Sequence, residues 1–258
     1  AVNLAEVSLW HWGAFTLMVV SLLAIDLGLF HRESRVTTVR EAFIWTVVWC
    51  SLAMAFGGLL WRLLGGPAAL DFVTGYLVEW SLSMDNVFVF AVIFSYFRVP
   101  PAHQYRVLYW GILGAIIMRL SFVLAGAELL RRFEWMSLVF GLVLIVTGIR
   151  MAIQDDDPEP ERNLVLRLAR RFLPLSHGHG TDRFVLHENG RWCLTPLFLV
   201  LLVVESTDVV FAVDSVPAIF GVVDTSTQYI RFIVFASNVF AILGLRPLYF
   251  LLAGMMDA

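Results

Sequence analysis

Long apolar runs separated by short polar ones set the pattern of this chain. Seven of them are long enough to cross a bilayer: 8–30, 42–64, 71–97, 107–130, 134–154, 193–220 and 229–254. A spanning helix needs about 20 such residues. The runs are continuous rather than alternating, which predicts helices and not barrel strands. The first run lacks a basic segment before it and carries Asp26, so it reads as a span rather than a cleaved leader. Segment 155–192 is the one sizeable polar stretch. Inside it, Asn163 to Phe172 has the pattern of an amphipathic helix lying on a membrane surface. The same segment holds Asp155, Asp156, Asp157, His177 and His179. They read either as a metal-gathering loop or, more simply, as a solvated linker.

Arginine placement orients the spans. The loops after the first, third and fifth spans hold or border 12 arginines, against 4 on the other side. That predicts a multi-pass plasma-membrane protein with its N-terminus outside and 155–192 in the cytoplasm. Composition agrees: 59% of residues are hydrophobic, 15% are charged and the mean hydropathy is +0.80, whereas soluble domains carry about 25% charge. A formal charge of −3 argues against a nucleic-acid partner. All 18 basic residues are arginine, which excludes lysine Schiff-base chemistry and a P-loop lysine. Cys50 and Cys193 lie in or beside apolar runs and imply no disulfide framework.

The spans also repeat. Arg119 with Phe122–Gly126 matches Arg246 with Phe250–Gly254 at an offset of about 128 residues. Glu79, Asp85 and Asn86 match Asp208, Asp214 and Ser215 at an offset of 129. A rival alignment sets Asp85–Phe88 against Asp208–Phe211 at an offset of 123. Either way, spans 2–4 resemble spans 5–7. An odd number of spans per copy forces opposite orientations. The expected fold is therefore an all-α polytopic membrane protein of inverted three-helix repeats plus an N-terminal helix. Secondary transporters are often built this way, with the substrate site near the midplane.

Past their first turns, spans 3 and 6 carry five carboxylates: Glu79, Asp85, Glu205, Asp208 and Asp214. Each costs about 2.5–3.5 kcal/mol at the centre of a membrane helix. They are expected to face inward and to be protonated, paired or bound to a cation. Arg119 and Arg246 are the only arginines well inside spans, away from their ends, too few to neutralise five acids. Asp208 and Asp214 lie about 240° apart on a regular helix, so they converge only if the helix breaks or a pocket wraps around it. Ser206, Thr207, Ser215 and Pro217 make a break in span 6 the expectation, and the length and polar centre of span 3 suit an interrupted helix there too. The expected metal ligands are Glu79, Asp85, Asn86, Glu205, Asp208 and Asp214. Ser83, Ser215, Arg119, Arg246 and Asn238 are expected to support or balance them. Asp26 reads either as an acid at a cytoplasmic mouth or, more simply, as a helix-end acid paired with a nearby arginine. Oxygen donors without histidine or cysteine suit Mn²⁺, Ca²⁺ or Mg²⁺. Met84 tilts the choice slightly toward Mn²⁺, although plain packing explains that residue better.

Glu79-Trp80-Ser81-Leu82-Ser83-Met84-Asp85-Asn86 resembles the first signature of the TerC family of integral membrane proteins. Glu205 to Ala218 resembles the second, and Phe94–Pro100 and Ser237–Arg246 are also similar to family text. The resemblance implies a secondary exporter linked to tellurium resistance and manganese efflux, with the five acids at its metal site. It also implies two or so further membrane helices beyond Ala258. The leading expectation is a Mn²⁺ exporter driven by proton antiport, with no prosthetic group. The alternative is a membrane scaffold that recruits soluble tellurium-resistance or secretion partners through 155–192. An intramembrane enzyme is the weakest class, because no activated nucleophile or histidine–metal cluster accompanies the acids.

Overall fold

A computed structural model describes residues 9–30, 38–133, 135–153, 164–172, 183–188, 191–223 and 229–256. The described elements are α1 (Leu9–Phe30), α2 (Val39–Leu64), α3 (Gly66–Tyr96), α4 (Pro101–Arg132), α5 (Met136–Ile153) and α6 (Leu164–Phe172). They continue with β1 (Val185–Glu188), β2 (Arg191–Leu194), α7 (Pro196–Val222), α8 (Ile230–Leu243) and α9 (Leu245–Met256). Five stretches are long and apolar enough to cross a membrane: Val39–Leu64, Gly66–Tyr96, His103–Arg132, Pro196–Val222 and Ile230–Met255. The last runs through α8 and α9. Shorter apolar stretches lie at Trp10–Ile25 and Met136–Ile149.

Local chemistry fixes the helix ends. Thr38 caps α2 through a capping box: its Oγ1 accepts from the Glu41 amide at 3.3 Å, and the Glu41 carboxylate accepts from the Thr38 amide at 3.1 Å. Gly65 alone separates α2 from α3. Its φ of +94° is available to glycine and strained for other residues. Pro101 and Pro196 open α4 and α7, where a missing N–H costs nothing.

The centre of the bundle is the α8–α9 rod, buried without interruption from Phe232 to Tyr249. Its sequence is apolar on every side, as a helix surrounded by protein must be. Helices α2, α3 and α4 pack around α8. Trp12 and Phe15 of α1 set their rings against Phe232 and Phe235. Helix α7 packs on α3, α4, α5 and α6. Small residues allow the closest crossings. A Cβ at Gly75 of α3 would lie 2.7 Å from the Ser237 Oγ of α8, and one at Gly111 of α4 would lie 3.3 Å from Val204 of α7. The outward faces carry exposed apolar side chains, such as Leu138, Leu142, Ile145 and Ile149 along α5.

Two expectations need correction. Spans 3 and 6 do not break. Helices α3 and α7 run unbroken for 31 and 27 residues. The hydroxyls of Ser206 and Thr207 donate to the Val203 carbonyl at 2.9 and 2.8 Å, so they are satisfied inside the helix. Pro217 leaves one carbonyl without its donor, and the helix continues past it. The interruption falls in the last span instead, at Gly244. Pro247 has no N–H to give residue 243, and its ring crowds that carbonyl. The polar segment is also not all loop. Residues 155–163 and 173–182 lie outside the described residues, with Asp155, Asp156, Asp157, His177 and His179 among them. Helix α6 forms where the amphipathic pattern predicts it, but β1 and β2 pair as an antiparallel hairpin. The start of the sixth span, 193–194, is thus strand, and α7 begins at Pro196.

Candidate ion pathway

Four helices converge on Arg119. It is fully buried in the middle of α4. Its guanidinium forms an ion pair with Glu79 of α3 and another with the Asp208 Oδ1 of α7 at 3.3 Å. Nη1 also donates to the Ser215 Oγ at 3.2 Å and to the Asn238 Oδ1 of α8 at 2.9 Å. The Asn238 amide in turn donates to the Val234 carbonyl at 3.2 Å, which turns its oxygen toward Arg119. Asp208 and Ser215 are seven residues apart on an unbroken helix, so they share a face and one guanidinium reaches both.

The hub is under-neutralised. Two buried carboxylates face one guanidinium, and Glu79 Oε2, Asp208 Oδ2, Ser83 Oγ and Arg119 Nε have no hydrogen-bond partner. Glu79, Ser83 and Asn86 are all buried and recur at i, i+4 and i+7, which places them on the inner stripe of α3. Glu205 lies one turn before Asp208. Its carboxylate rests against the backbone of Gly114, where there is no room for a Cβ.

The remaining predicted residues lie elsewhere. Asp85 is exposed, because six residues past Glu79 on a continuous helix is about 240° around the axis. Asp214 is half-buried and accepts from Thr147 Oγ1 of α5 at 3.0 Å. The expected six-residue cluster is therefore not assembled. Among the described residues no three histidines, cysteines, aspartates or glutamates stand together as a metal site. The cause is the continuity of α3 and α7: without a break, acids six residues apart face different neighbours. Arg246 is buried but does not belong to the hub. Its guanidinium stacks 4.6 Å from the centre of the Tyr105 ring, and Tyr105 precedes Arg119 by roughly 21 Å along α4. The Asp26 side chain lies outside the described residues. At the C-terminal end of α4, Glu128 accepts from Arg131, Arg132 and Arg231, tying α4 to the start of α8.

Thr147 and Gly114 are the participants that sequence reasoning missed. Thr147 had a signal, as one of two hydroxyls, with Ser137, in the apolar span 134–154. Gly114 had only its place in the Ile112-Leu113-Gly114 echo.

Long apolar helices around an interior charged hub define a polytopic helical membrane protein. The family model described as "Integral membrane protein TerC family" matches residues 64–258. The chain belongs to that family. It is 47% identical over 247 residues to "Uncharacterized membrane protein STKORF319" of Myxococcus xanthus, covering 95% of this chain and 76% of that one. It is 43% identical over 257 residues to "Putative membrane-bound redox modulator Alx" of Escherichia coli K12, covering 95% and 78%. A Rickettsia felis protein described as "Uncharacterized membrane protein" is 34% identical, covering 95% and 80%. No solved structure matches the chain.

Proposed function

We infer that this protein is a secondary transporter, not an enzyme, that exports a divalent cation, Mn²⁺ foremost, in exchange for protons. One observation carries the reading: Glu79 and Asp208 are buried at the meeting point of four helices with a single guanidinium between them and carboxylate oxygens to spare. A merely structural ion pair needs one acid per arginine, and an unmatched buried charge is costly. A second acid is what a passing cation or proton requires. The available donors are carboxylates, hydroxyls and the Asn86 and Asn238 amides, an oxygen set that suits hard cations. For a cation to bind here, Arg119 must yield its place between the acids. Exchange of guanidinium for metal gives the hub two states, which transport requires. Glu205, one turn from Asp208, and Asp85 and Asp214, placed on other faces of α3 and α7, are way stations to the hub. Inverted repeats over spans 2–4 and 5–7 supply the two halves that rock about it, with the N-terminus outside and 155–192 in the cytoplasm.

A scaffold reading has weaker support, because recruiting partners through 155–192 does not need buried acids. The redox wording of the Alx name finds little in this chain. Cys50 and Cys193 are unpaired and sit on α2 and β2. The test is proteoliposome flux with Mn²⁺, Ca²⁺ and Mg²⁺ and a pH-sensitive dye inside. Mn²⁺ movement that drives an opposite proton movement supports the reading. Mn²⁺ movement no faster than in empty liposomes contradicts it.

A further inference from the structure

The segment between α5 and α7 is not used by the ion pathway, yet it is built with care. Helix α6 buries Leu166 and Ala169 against α7. At about 100° per residue, Arg167 and Arg171 point the opposite way, and both are exposed. Val165 and Leu168 (45% exposed) prolong the apolar face along one flank instead of ending it at the α7 contact. The helix sequence holds three arginines and no acid.

The hairpin that follows it in the chain is fastened to the first turn of α7. Thr195 Oγ1 donates to the Arg183 carbonyl at 2.7 Å, the Thr195 amide donates to the Phe184 carbonyl at 3.0 Å, and the Phe184 ring meets Phe198. The clamp fixes Trp192 a few residues from where α7 enters the apolar layer. That indole is 70% exposed, with His187 edge-on against it.

We propose that α6 and the β1–β2 hairpin form a docking surface for anionic phospholipid headgroups. Val165, Leu168 and Trp192 enter the acyl boundary and Arg167 and Arg171 hold the phosphates. Charge complementarity selects this occupant: an acid-free cationic helix meets an anionic leaflet. Exposed apolar residues on its flank and an exposed tryptophan four residues before the start of α7 have no use for a water-soluble ligand. Arginine suits the task, since its planar fork binds phosphate oxygens in pairs and stays charged. The assignment does not depend on which ion is transported.

The test uses the full chain in phosphatidylcholine vesicles doped with dibrominated phosphatidylglycerol or, at equal mole fraction, dibrominated phosphatidylcholine. Intrinsic tryptophan fluorescence reports contact with the brominated chains. The brominated phosphatidylglycerol should quench more, and Trp192→Phe should lose that excess. Arg167→Gln combined with Arg171→Gln should also lose it while circular dichroism stays unchanged. The corresponding double lysine variant keeps the charge and should retain part of the excess, which separates lost recognition from lost folding. Equal quenching by the two lipids, or a full excess in the double glutamine variant, overturns the proposal. Loss of the excess on adding inorganic phosphate also overturns it, because the site would then take a soluble anion.

Discussion

Arg119 answers two carboxylates with one charge, and that asymmetry has measurable consequences. Removing one partner from a buried ionic cluster costs about 3–5 kcal/mol. Arg119→Gln should therefore lower stability by that order in a detergent melt. Adding Asp208→Asn to it should recover part of the loss, because fewer buried charges are left unmatched. A double variant less stable than Arg119→Gln alone would contradict the pairing. Gly114→Ala tests Glu205 separately. The new methyl group must displace a flexible carboxylate, not a backbone, so the protein should fold. Mn²⁺ flux should fall about tenfold, the effect of roughly 1.4 kcal/mol at the site; unchanged flux would remove Glu205 from the pathway. These residues differ in how visible they are in the sequence. Glu79, Asp208, Arg119, Ser215 and Asn238 stand out because polar groups in apolar helices are expensive. Gly114 has no side chain to betray it, and Thr147 can satisfy itself within its own helix. Asp85 looks like a partner of Glu79 in the motif, but helical periodicity turns it away once α3 is continuous.

Among the elements, the crossings are set by what is missing from them. Gly75 lets α3 approach Ser237 of α8 at a distance that a Cβ would not permit. Gly75→Ala should cost about 1–3 kcal/mol through overpacking. Ser237→Ala in the same protein should return most of that, since the Oγ is the nearest clash. Paired thermal melts check this, and a Gly75→Ala variant as stable as the parent would show that the helices can part freely. The apolar runs made the helices legible, because each backbone polar group in lipid must be satisfied internally. The helix breaks were not legible. Ser, Thr and Pro mark both broken helices and intact ones whose hydroxyls bond back one turn, and only tertiary packing decides between them. The β1–β2 hairpin was hidden for a related reason: Arg191–Leu194 is too short to show a period, and it adjoins an apolar run.

For the whole molecule, helices surround the central rod of α8 and α9, and buried polar groups from α3, α7 and α8 meet at Arg119 of α4. A rigid core with one under-neutralised centre is suited to admitting a cation and a proton in turn. Asp208 is the residue on which that account rests. It pairs with Arg119, stands one turn from Glu205, and keeps a carboxylate oxygen without a partner. Asparagine preserves its shape and one oxygen but removes the charge, and hard divalent cations depend on ligand charge. The most direct measurement is Mn²⁺ flux in proteoliposomes of Asp208→Asn, with a thermal melt of the same preparation. The account predicts a folded protein whose flux falls to that of empty liposomes. A folded Asp208→Asn protein that carries Mn²⁺ at the parent rate would contradict it.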